Sequence, residues 1–295
     1  LMRGILAELR ERGVPLSALY ATTQRLYRSV GYEPAGLRVR YRVLARALER
    51  LRPELPVRPS RPPDVATLAD LHRRRAATAN GHLDRSSAIW WRLLHQPGRP
   101  VYAYLFGDPP EGFVLYRHRE AGSAHDLEVC DHALLTPRAA RTFWAFLAAH
   151  GSTARRLEWP GPAPDPLTAL LPEEDHEVLC AEAWMLRIVD VAGALEGRGY
   201  PSGAAGRVAF EVRDETFPEA GGAFTLEVDG GTGRVRRAAD GPVLRLGIRA
   251  LAPLYSGYLT PGALRDLGWL EGEEAAIAAA SRLFAGPPPW MTESF

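Results

Sequence analysis

Residues 287–295 end in aromatic side chains and a terminal carboxylate, which could bind a ligand or act as a base. Three consecutive prolines precede Trp290, and the segment ends in Phe295 with its α-carboxylate. Prolines fix φ and lack an amide donor, so the segment is a semi-rigid, extended spacer. Most domain ends are polar and mobile, whereas this one is apolar and stiff. We therefore expect the tail to deliver its last residues to a definite place, where the rings fill a groove or the carboxylate takes part in a reaction.

A second segment, residues 16–35, places a tyrosine on a short helix. Its apolar start predicts a strand, and residues 24–30 predict one or two helical turns after a polar break. A Gly31-Tyr32 step then leads into a turn. Tyr27 lies on the predicted helix, where its ring is either a core aromatic or a phenol available for reaction.

Both segments resemble the Eis (enhanced intracellular survival) family of GNAT N-acetyltransferases, which are polyspecific aminoglycoside-modifying enzymes of actinobacteria. In that family a tyrosine followed four residues later by a Gly-Tyr step acts as general acid, and the terminal carboxylate of a phenylalanine acts as base. The resemblance implies these roles for Tyr27 and Phe295. An unperturbed tyrosine is protonated and an α-carboxylate is ionised at neutral pH, as donor and acceptor require.

Further segments extend the resemblance over essentially the whole sequence. Residues 112–117 match a strand of pattern G-Y-A-x-Y-R in the middle of the family's sequences. Residues 184–200 resemble its W-L-R-L segment and the A-L and R-x-Y positions that follow. None of these segments is specific alone, but their order and spacing together are.

One departure from the family pattern concerns the acyl donor. GNAT proteins hold the CoA pyrophosphate on backbone amides of an R-R-x-G-x-G/A loop at a helix N-terminus. Residues 1–10 predict the helix that follows this loop, and the sequence does not contain the loop before it. We therefore expect this chain to be a piece of a longer protein, with on the order of one hundred residues upstream. We also expect it to bind acetyl-CoA weakly by itself.

The resemblance also implies the ligands. Acetyl-CoA is the acyl donor, and Thr22 lies where the family has a hydroxyl residue near the pantetheine arm, although it is equally suited to cap the next helix. The acceptor is an amine-bearing small molecule, an aminoglycoside-like polyamine, or a lysine. Glu293 and Glu182 are candidates for its acidic pocket, and each is alternatively a solvated surface acid. The family assembly implies a homo-oligomer, a hexamer.

The order of predicted elements indicates an α+β fold, and the resemblance implies that this fold is α/β GNAT-like. The resemblance implies that residues 1–55 are the C-terminal part of an acetyl-CoA-binding GNAT domain, and that residues 56–185 form a second GNAT-like domain without cofactor. It implies a sterol-carrier-protein-like domain over residues 186–295. The glycines of residues 229–233 lie between two predicted strands, so they predict a hairpin turn and not a phosphate loop.

Two packing expectations concern the second domain. Trp90, Trp91 and Trp144 are expected in its core, because large aromatic rings are usually buried. The proline-dense stretch 160–172 is expected to be a surface loop.

Composition and charge exclude several classes of protein. With 295 residues, 46% of them hydrophobic, the chain can bury a large core divided over two or three domains. It has no run of about 18 apolar residues and no cleavable signal, so no membrane partner is expected. The formal net charge is +1, and all 36 basic residues are arginines interleaved with acids. A nucleic acid partner is therefore not expected.

The cysteines and histidines predict neither disulfides nor a metal site. Cys130 and Cys180 form no C-x-x-C pattern, which is typical of a reducing cytoplasm. A thiol nucleophile beside Asp131 and His132 is disfavoured, because adjacent strand residues point to opposite faces. The eight histidines lack H-x-x-x-H and H-E-x-x-H spacing.

The sequence therefore predicts a cytoplasmic N-acetyltransferase of the Eis type that transfers acetyl by direct attack of the amine on acetyl-CoA. The alternative from another class is a non-catalytic module that carries small apolar molecules in its last domain. A third hypothesis is a biosynthetic acetyltransferase with one narrow substrate.

Overall fold

The computed structural model describes residues 1–48, 51–61, 64–121 and 124–293. These residues form two compact units. Unit 1 combines Leu1–Gly36 with Ala183–Pro289, and unit 2 combines Leu37–Glu182 with Trp290–Glu293. The segment that follows the three prolines therefore belongs to unit 2.

The first part of unit 1 has the elements that the sequence predicts. They are α1 (Met2–Glu11), β1 (Leu16–Tyr20) and α2 (Gln24–Arg28). Strand β2 (Glu33–Leu44) begins in unit 1 and continues into unit 2. Leu6 of α1 is fully buried and anchors a small apolar cluster that includes the side chain of Tyr27.

Unit 2 is built on an antiparallel sheet with one parallel pair. Its further elements are β3 (Val57–Pro59), α3 (Val65–Ala76), α4 (Ser87–Leu94), β4 (Tyr102–Gly107), β5 (Pro110–Ala121), β6 (Ala124–Leu134), α5 (Pro137–Ala148) and β7 (Ala154–Gly161). The strand order is β2-β7-β6-β5-β4-β3. Strands β6 and β7 are parallel, and α5 supplies the crossover that such a pair needs.

Helices cover both faces of this sheet. Along β5, Phe113 and Leu115 pack in one apolar cluster with Trp90, whereas Val114 and Tyr116 pack in a second cluster with α5. This alternation follows from the period of two in a strand, which sends successive side chains to opposite faces.

One of the three tryptophan expectations is wrong. Trp90 and Trp144 are buried, but Trp91 is 63% exposed. Helix α4 turns by about 100° per residue, so the neighbour of an inward-facing Trp90 points away from the core.

The expectation of a surface loop over residues 160–172 is also wrong at its start. Pro160 lies inside β7 and is buried. Asp165 is buried as well and accepts a hydrogen bond of 2.7 Å from Nε1 of Trp159. The prolines therefore end a core strand and begin a turn that packs back on the core.

The second part of unit 1 contains a mixed five-stranded sheet. Its elements, with the strand that leads into them, are β8 (Glu177–Ile188), α6 (Val191–Gly197), β9 (Gly206–Arg213), β10 (Gly222–Asp229), β11 (Thr232–Arg236), β12 (Val243–Gly247), α7 (Ile248–Ser256), α8 (Pro261–Asp266), β13 (Leu270–Gly272) and α9 (Glu274–Leu283). The strand order is β11-β10-β9-β12-β13. The end of β8 pairs antiparallel with β1.

The glycine-rich segment is a hairpin turn, as predicted. Strands β10 and β11 pair antiparallel around it, and Gly230 and Gly231 have φ of 56° and 83°. Only glycine adopts such angles without steric cost, so these residues serve the turn. No helix of the described residues is long and apolar enough to cross a membrane.

Two histidines of unit 2, the buried His132 and the half-buried His82, lie in surroundings that favour the neutral ring. Burial, followed by the nearby charge of Arg75, lowers the pKa of His132 to about 3 and that of His82 well below its usual range. Both ring nitrogens of His82, and Nδ1 of His132, have no hydrogen-bond partner among the described residues. Protonation of either ring would place an uncompensated cation in the core.

These histidines predict a loss of stability in mild acid. The unfolded imidazole takes up a proton near pH 6.5, whereas folded His132 stays neutral until about pH 3. The stabilising effect is therefore complete above pH 6.5 and decreases as the pH falls. For His132 alone the free energy of unfolding should drop by about 2 kcal/mol between pH 7 and pH 5. Urea unfolding at several pH values measures it.

The matched variants are His132→Phe and His95→Phe, since His95 is an exposed histidine. His132→Phe should reduce the change in the free energy of unfolding between pH 7 and pH 5 by the contribution of one titrating group. His95→Phe should leave that change as it is in the parent protein. An unaltered pH dependence in His132→Phe would contradict the assignment.

Candidate active site

Tyr27 lies on α2 with its ring half-buried in the apolar cluster of unit 1. Its ring meets that of Tyr32 edge-on, with 5.8 Å between centroids. The backbone carbonyl of Tyr27 accepts hydrogen bonds from the amides of Val30 and Tyr32, which closes the turn after the helix. The Tyr27 hydroxyl has no hydrogen-bond partner in the part of the chain that the structure describes. The ring is fixed by packing while its hydroxyl stays available to donate.

The Gly31-Tyr32 step has a steric cause. Gly31 has a φ of 91°, and a side chain there would collide with the guanidinium of Arg187. Arg187 and Asp214 are fully buried and joined by a 2.6 Å ion pair. Next to it, the hydroxyls of Tyr32 and Ser17 are 2.7 Å apart, and burial raises the pKa of Tyr32. A glycine is therefore required where the turn crosses the buried arginine.

Thr22 is exposed in the short link between β1 and α2 and does not cap the next helix. The N-cap residue of α2 is Thr23, and its side chain makes no capping hydrogen bond. The capping interpretation of Thr22 is therefore wrong. Its hydroxyl remains available for the predicted contact with the pantetheine arm, which stays a prediction.

The tail segment Trp290–Glu293 is anchored in unit 2. Trp290 and Met291 are 4% and 1% exposed. The Trp290 ring lies 4.3 Å from the guanidinium carbon of Arg75 and 4.8 Å from the ring of His82. Its backbone amide donates to the carbonyl of Asn80 at 3.2 Å. These contacts fix both the backbone and the indole ring of Trp290, which packs against Arg75 and His82.

A buried ion cluster holds the tail one step further on. Arg85 donates from Nε to Glu293 at 2.5 Å, from Nη2 to the Thr292 hydroxyl at 2.8 Å, and from Nη1 to Asp131. The side chains of Arg85, Asp131 and Glu293 are at most 2% exposed. Although burial alone would raise it, Arg85 lowers the pKa of Asp131 to about 2. Asp131 is therefore ionised at neutral pH, and the cluster fixes Glu293, the residue two positions before Phe295.

The two predicted substrate acids lie in unit 2, and each is held by a different arginine. Glu293 is buried against Arg85. Glu182 is about half exposed and forms an ion pair with Arg38, which donates from Nε at 3.1 Å. In each pair the arginine offsets negative charge that would otherwise attract a substrate amine. A substrate role for either acid stays a prediction.

Phe295 lies outside the described residues. Its role as base therefore stays a prediction, and the described residue nearest to it in sequence is Glu293.

Thiol and metal chemistry find no support in the described ranges. Burial raises the pKa of Cys130 to about 11, so this thiol is protonated at neutral pH and a poor nucleophile. Cys180 is exposed, and both cysteines are free. Nowhere in those ranges are three or more His, Cys, Asp or Glu side chains arranged to hold a metal ion.

The sequence analysis missed Arg85 and Asp131, which hold the tail in unit 2, and Arg187, which the Gly31 turn crosses in unit 1. From the sequence, Asp131 was considered only as a neighbour of Cys130. The alternation of strand residues did separate those two side chains, but pairing between residues 85, 131 and 293 is not encoded in any local pattern. A buried arginine resembles a surface arginine in sequence, especially in a protein whose basic residues are all arginine.

Comparisons with known proteins agree with this architecture. The Acetyltransferase (GNAT) domain family matches residues 81–188, and the Sterol carrier protein domain family matches residues 191–292. The predicted GNAT-like and sterol-carrier-like fold is thereby confirmed, whereas the three predicted domain ranges stay a prediction.

Relatives match nearly the full length of the chain. An uncharacterized N-acetyltransferase of Streptomyces griseus is 30% identical over 98% of this chain and 76% of its own length. A crystal structure of a GCN5-related N-acetyltransferase from Anabaena variabilis is 35% identical, with a TM-score of 0.95 over 100% of this chain and 76% of that one. Eis1 from Mycobacterium abscessus is 25% identical, with a TM-score of 0.78 over 100% of this chain and 78% of that one. The chain therefore belongs to the GCN5-related N-acetyltransferase (GNAT) family of acyltransferases and carries a sterol carrier protein domain after its acetyltransferase domain.

Proposed function

We propose that this protein is an Eis-type N-acetyltransferase that moves acetyl from acetyl-CoA to an amine of an aminoglycoside-like polyamine or a lysine side chain. Tyr27 is the general acid and the α-carboxylate of Phe295 is the base. The likeness to Eis1 and the family motifs around Tyr27 support the assignment.

The buried cluster of Arg85, Asp131 and Glu293 is the observation that carries this proposal. Desolvating three charged groups costs several kcal/mol per ion unless the geometry repays it. The apolar residues of the tail, Trp290 and Met291, are already buried. A tail that served only as an apolar plug would need no buried ion pair beyond them. A fixed backbone at Glu293 instead defines where a carboxylate two residues later can reach.

The proposed reaction needs one proton acceptor and one proton donor. The neutral amine attacks the thioester carbonyl, so a C–N bond forms and the C–S bond breaks. The Phe295 carboxylate takes the proton that the nitrogen loses. The Tyr27 hydroxyl gives its proton to the leaving thiolate.

Two residues at α2 would hold the reactive end of acetyl-CoA. The acyl donor supplies the activated thioester. Thr22 is exposed beside α2, and the Tyr27 hydroxyl is unpaired among the described residues, so both can face the pantetheine arm and its sulfur. For the acceptor amine, exposed Glu182 is better placed than Glu293, because burial against Arg85 makes Glu293 an anchor for the tail.

The apolar-carrier alternative has less support. The match to a sterol carrier protein domain favours it. However, the cavity of about 800 Å³ in unit 1 is lined by four arginines and Glu215, with Ile248 and Trp269 as its only large apolar side chains among the described residues. An apolar cargo would require an apolar lining.

The tail and Tyr27 are tested together in the full-length enzyme. A single glycine appended after Phe295 moves the carboxylate by about 3.5 Å and leaves the tail contacts intact. The turnover number kcat should fall by about 10²–10⁴-fold, the usual contribution of general acid–base catalysis. Tyr27→Phe should lower kcat by a similar factor. Steady-state kinetics and thermal melting measure both effects.

Tyr102→Phe is the control, since Tyr102 is an exposed tyrosine of unit 2. It should change neither kcat nor the melting temperature. If the extended enzyme keeps its rate, the carboxylate is not the base. If it melts many degrees lower instead, the tail is a structural plug.

We also propose a homo-oligomer, a hexamer as in the family. Large apolar side chains that are more than half exposed can supply the interface, among them Leu26, Trp91, Val178 and Leu267. Light scattering on the full-length protein should give a mass well above the monomer. A monomer at micromolar concentration would contradict this proposal.

A further inference from the structure

The cavity of unit 1 gathers four arginines from separate parts of the sequence. Its volume is about 800 Å³, and its wall includes Arg25, Arg28, Arg213 and Arg249. Arg25 and Arg28 lie three residues apart on α2 and so share one face of that helix. Arg213 ends β9, and Arg249 lies in the first turn of α7. The fold, and not a basic run in the sequence, concentrates these cations.

Two of the arginines share a single buried carboxylate. Glu33 is 1% exposed, and its Oε1 accepts from Nε of Arg28 at 2.7 Å. Its Oε2 accepts from Nε of Arg249 at 2.8 Å. The side chains of Arg28 and Arg249 nevertheless remain 38% and 44% exposed. Glu33 therefore fixes two guanidiniums in place and neutralises only one of them.

The other two arginines are free to meet a ligand. Arg25 is exposed on α2. Arg213 lies 3.3 Å from Glu215, and both side chains are 81% exposed. Ion pairs so exposed are weak and screened by salt, so this contact does not hold Arg213 away from the cavity.

The charge of the cavity matches a doubly charged anion. The four arginines with Glu33 and Glu215 leave a formal charge of +2. A phosphate monoester carries about −1.5 to −2 at pH 7. Guanidiniums bind phosphate through paired N–H donors, and arginines already held in place lose little entropy on binding. A cationic polyamine would be repelled here.

We propose that this cavity binds the phosphate monoester group of a small molecule. Because Arg25 and Arg28 flank Tyr27 on α2, the occupant contacts the helix that carries the proposed acid. Two kinds of ligand present this group: the nucleotide end of a coenzyme A donor and a free phosphorylated metabolite. Binding is measured without turnover, so its failure would leave the proposed acetyl transfer untouched.

Calorimetric titration of the 295-residue protein tests the proposal with two probes, inorganic phosphate and adenosine 3′,5′-bisphosphate. At least one probe should bind, and Arg25→Gln with Arg213→Gln should weaken that binding by about tenfold or more, since two charge-assisted contacts are lost. These substitutions leave the buried Glu33 cluster intact. Tenfold tighter binding of the bisphosphate than of phosphate would identify the coenzyme as the source, and similar affinities would identify a free phosphorylated ligand.

The control carries the same change of net charge elsewhere in unit 1. Arg207 and Arg236 form exposed ion pairs with Asp240 and lie outside the wall of the cavity. Arg207→Gln with Arg236→Gln should leave the affinity unchanged. The proposal is overturned if neither probe binds at millimolar concentration, if the cavity variant binds as tightly as the parent, or if the control loses as much affinity.

Discussion

The ion pair between Arg85 and Glu293 is the interaction on which the proposed site depends. It joins a segment after α3 to the tail, and Asp131 on β6 completes it from the sheet. Breaking a buried pair by removing one partner typically costs about 3–5 kcal/mol, because the other charge is left unpaired. Arg75 lies over the Trp290 ring beside the cluster. Although burial lowers its pKa to about 10, Arg75 is still protonated at neutral pH and balances the second carboxylate.

Unit 1 contains a cluster with the reverse ratio of arginine to carboxylate. In unit 2 one arginine bonds to two carboxylates, whereas in unit 1 the carboxylate of Glu33 bonds to two arginines. The difference in exposure separates their consequences. The cluster of unit 2 is closed to solvent and holds a segment of backbone. The cluster of unit 1 borders a cavity and leaves unbalanced positive charge on its wall.

The sequence predicted the elements better than it predicted their partners. Hydrophobic periodicity located α1, β1, α2 and the two strands on either side of residues 229–233, because each follows from local spacing of apolar residues. It failed at Trp91 and at the prolines after Trp159, where packing decides which side chain is buried. Hydrophobic periodicity carries no information on ion pairs between residues far apart in the sequence. Glu293 was singled out as an acid for a substrate, but its partner Arg85 lies 208 residues away.

The Gly31-Tyr32 step shows what a family motif leaves out. The family resemblance used this step to identify Tyr27 as the proposed general acid. The structure adds that Gly31 crosses the buried guanidinium of Arg187, where a side chain would collide. The motif therefore has a packing cause that would hold even in a relative without catalytic activity.

A double-mutant cycle between Arg85→Met and Glu293→Gln tests the anchoring of the tail most directly, with stability and kcat measured in the full-length enzyme. The account predicts a coupling free energy of about 1–3 kcal/mol, as for residues in one network, and a lower kcat in Glu293→Gln. The same cycle at the exposed pair of Arg141 and Glu54 should give less than about 1 kcal/mol. Additive effects at Arg85 and Glu293, with kcat unchanged, would contradict the claim that this ion pair positions the tail.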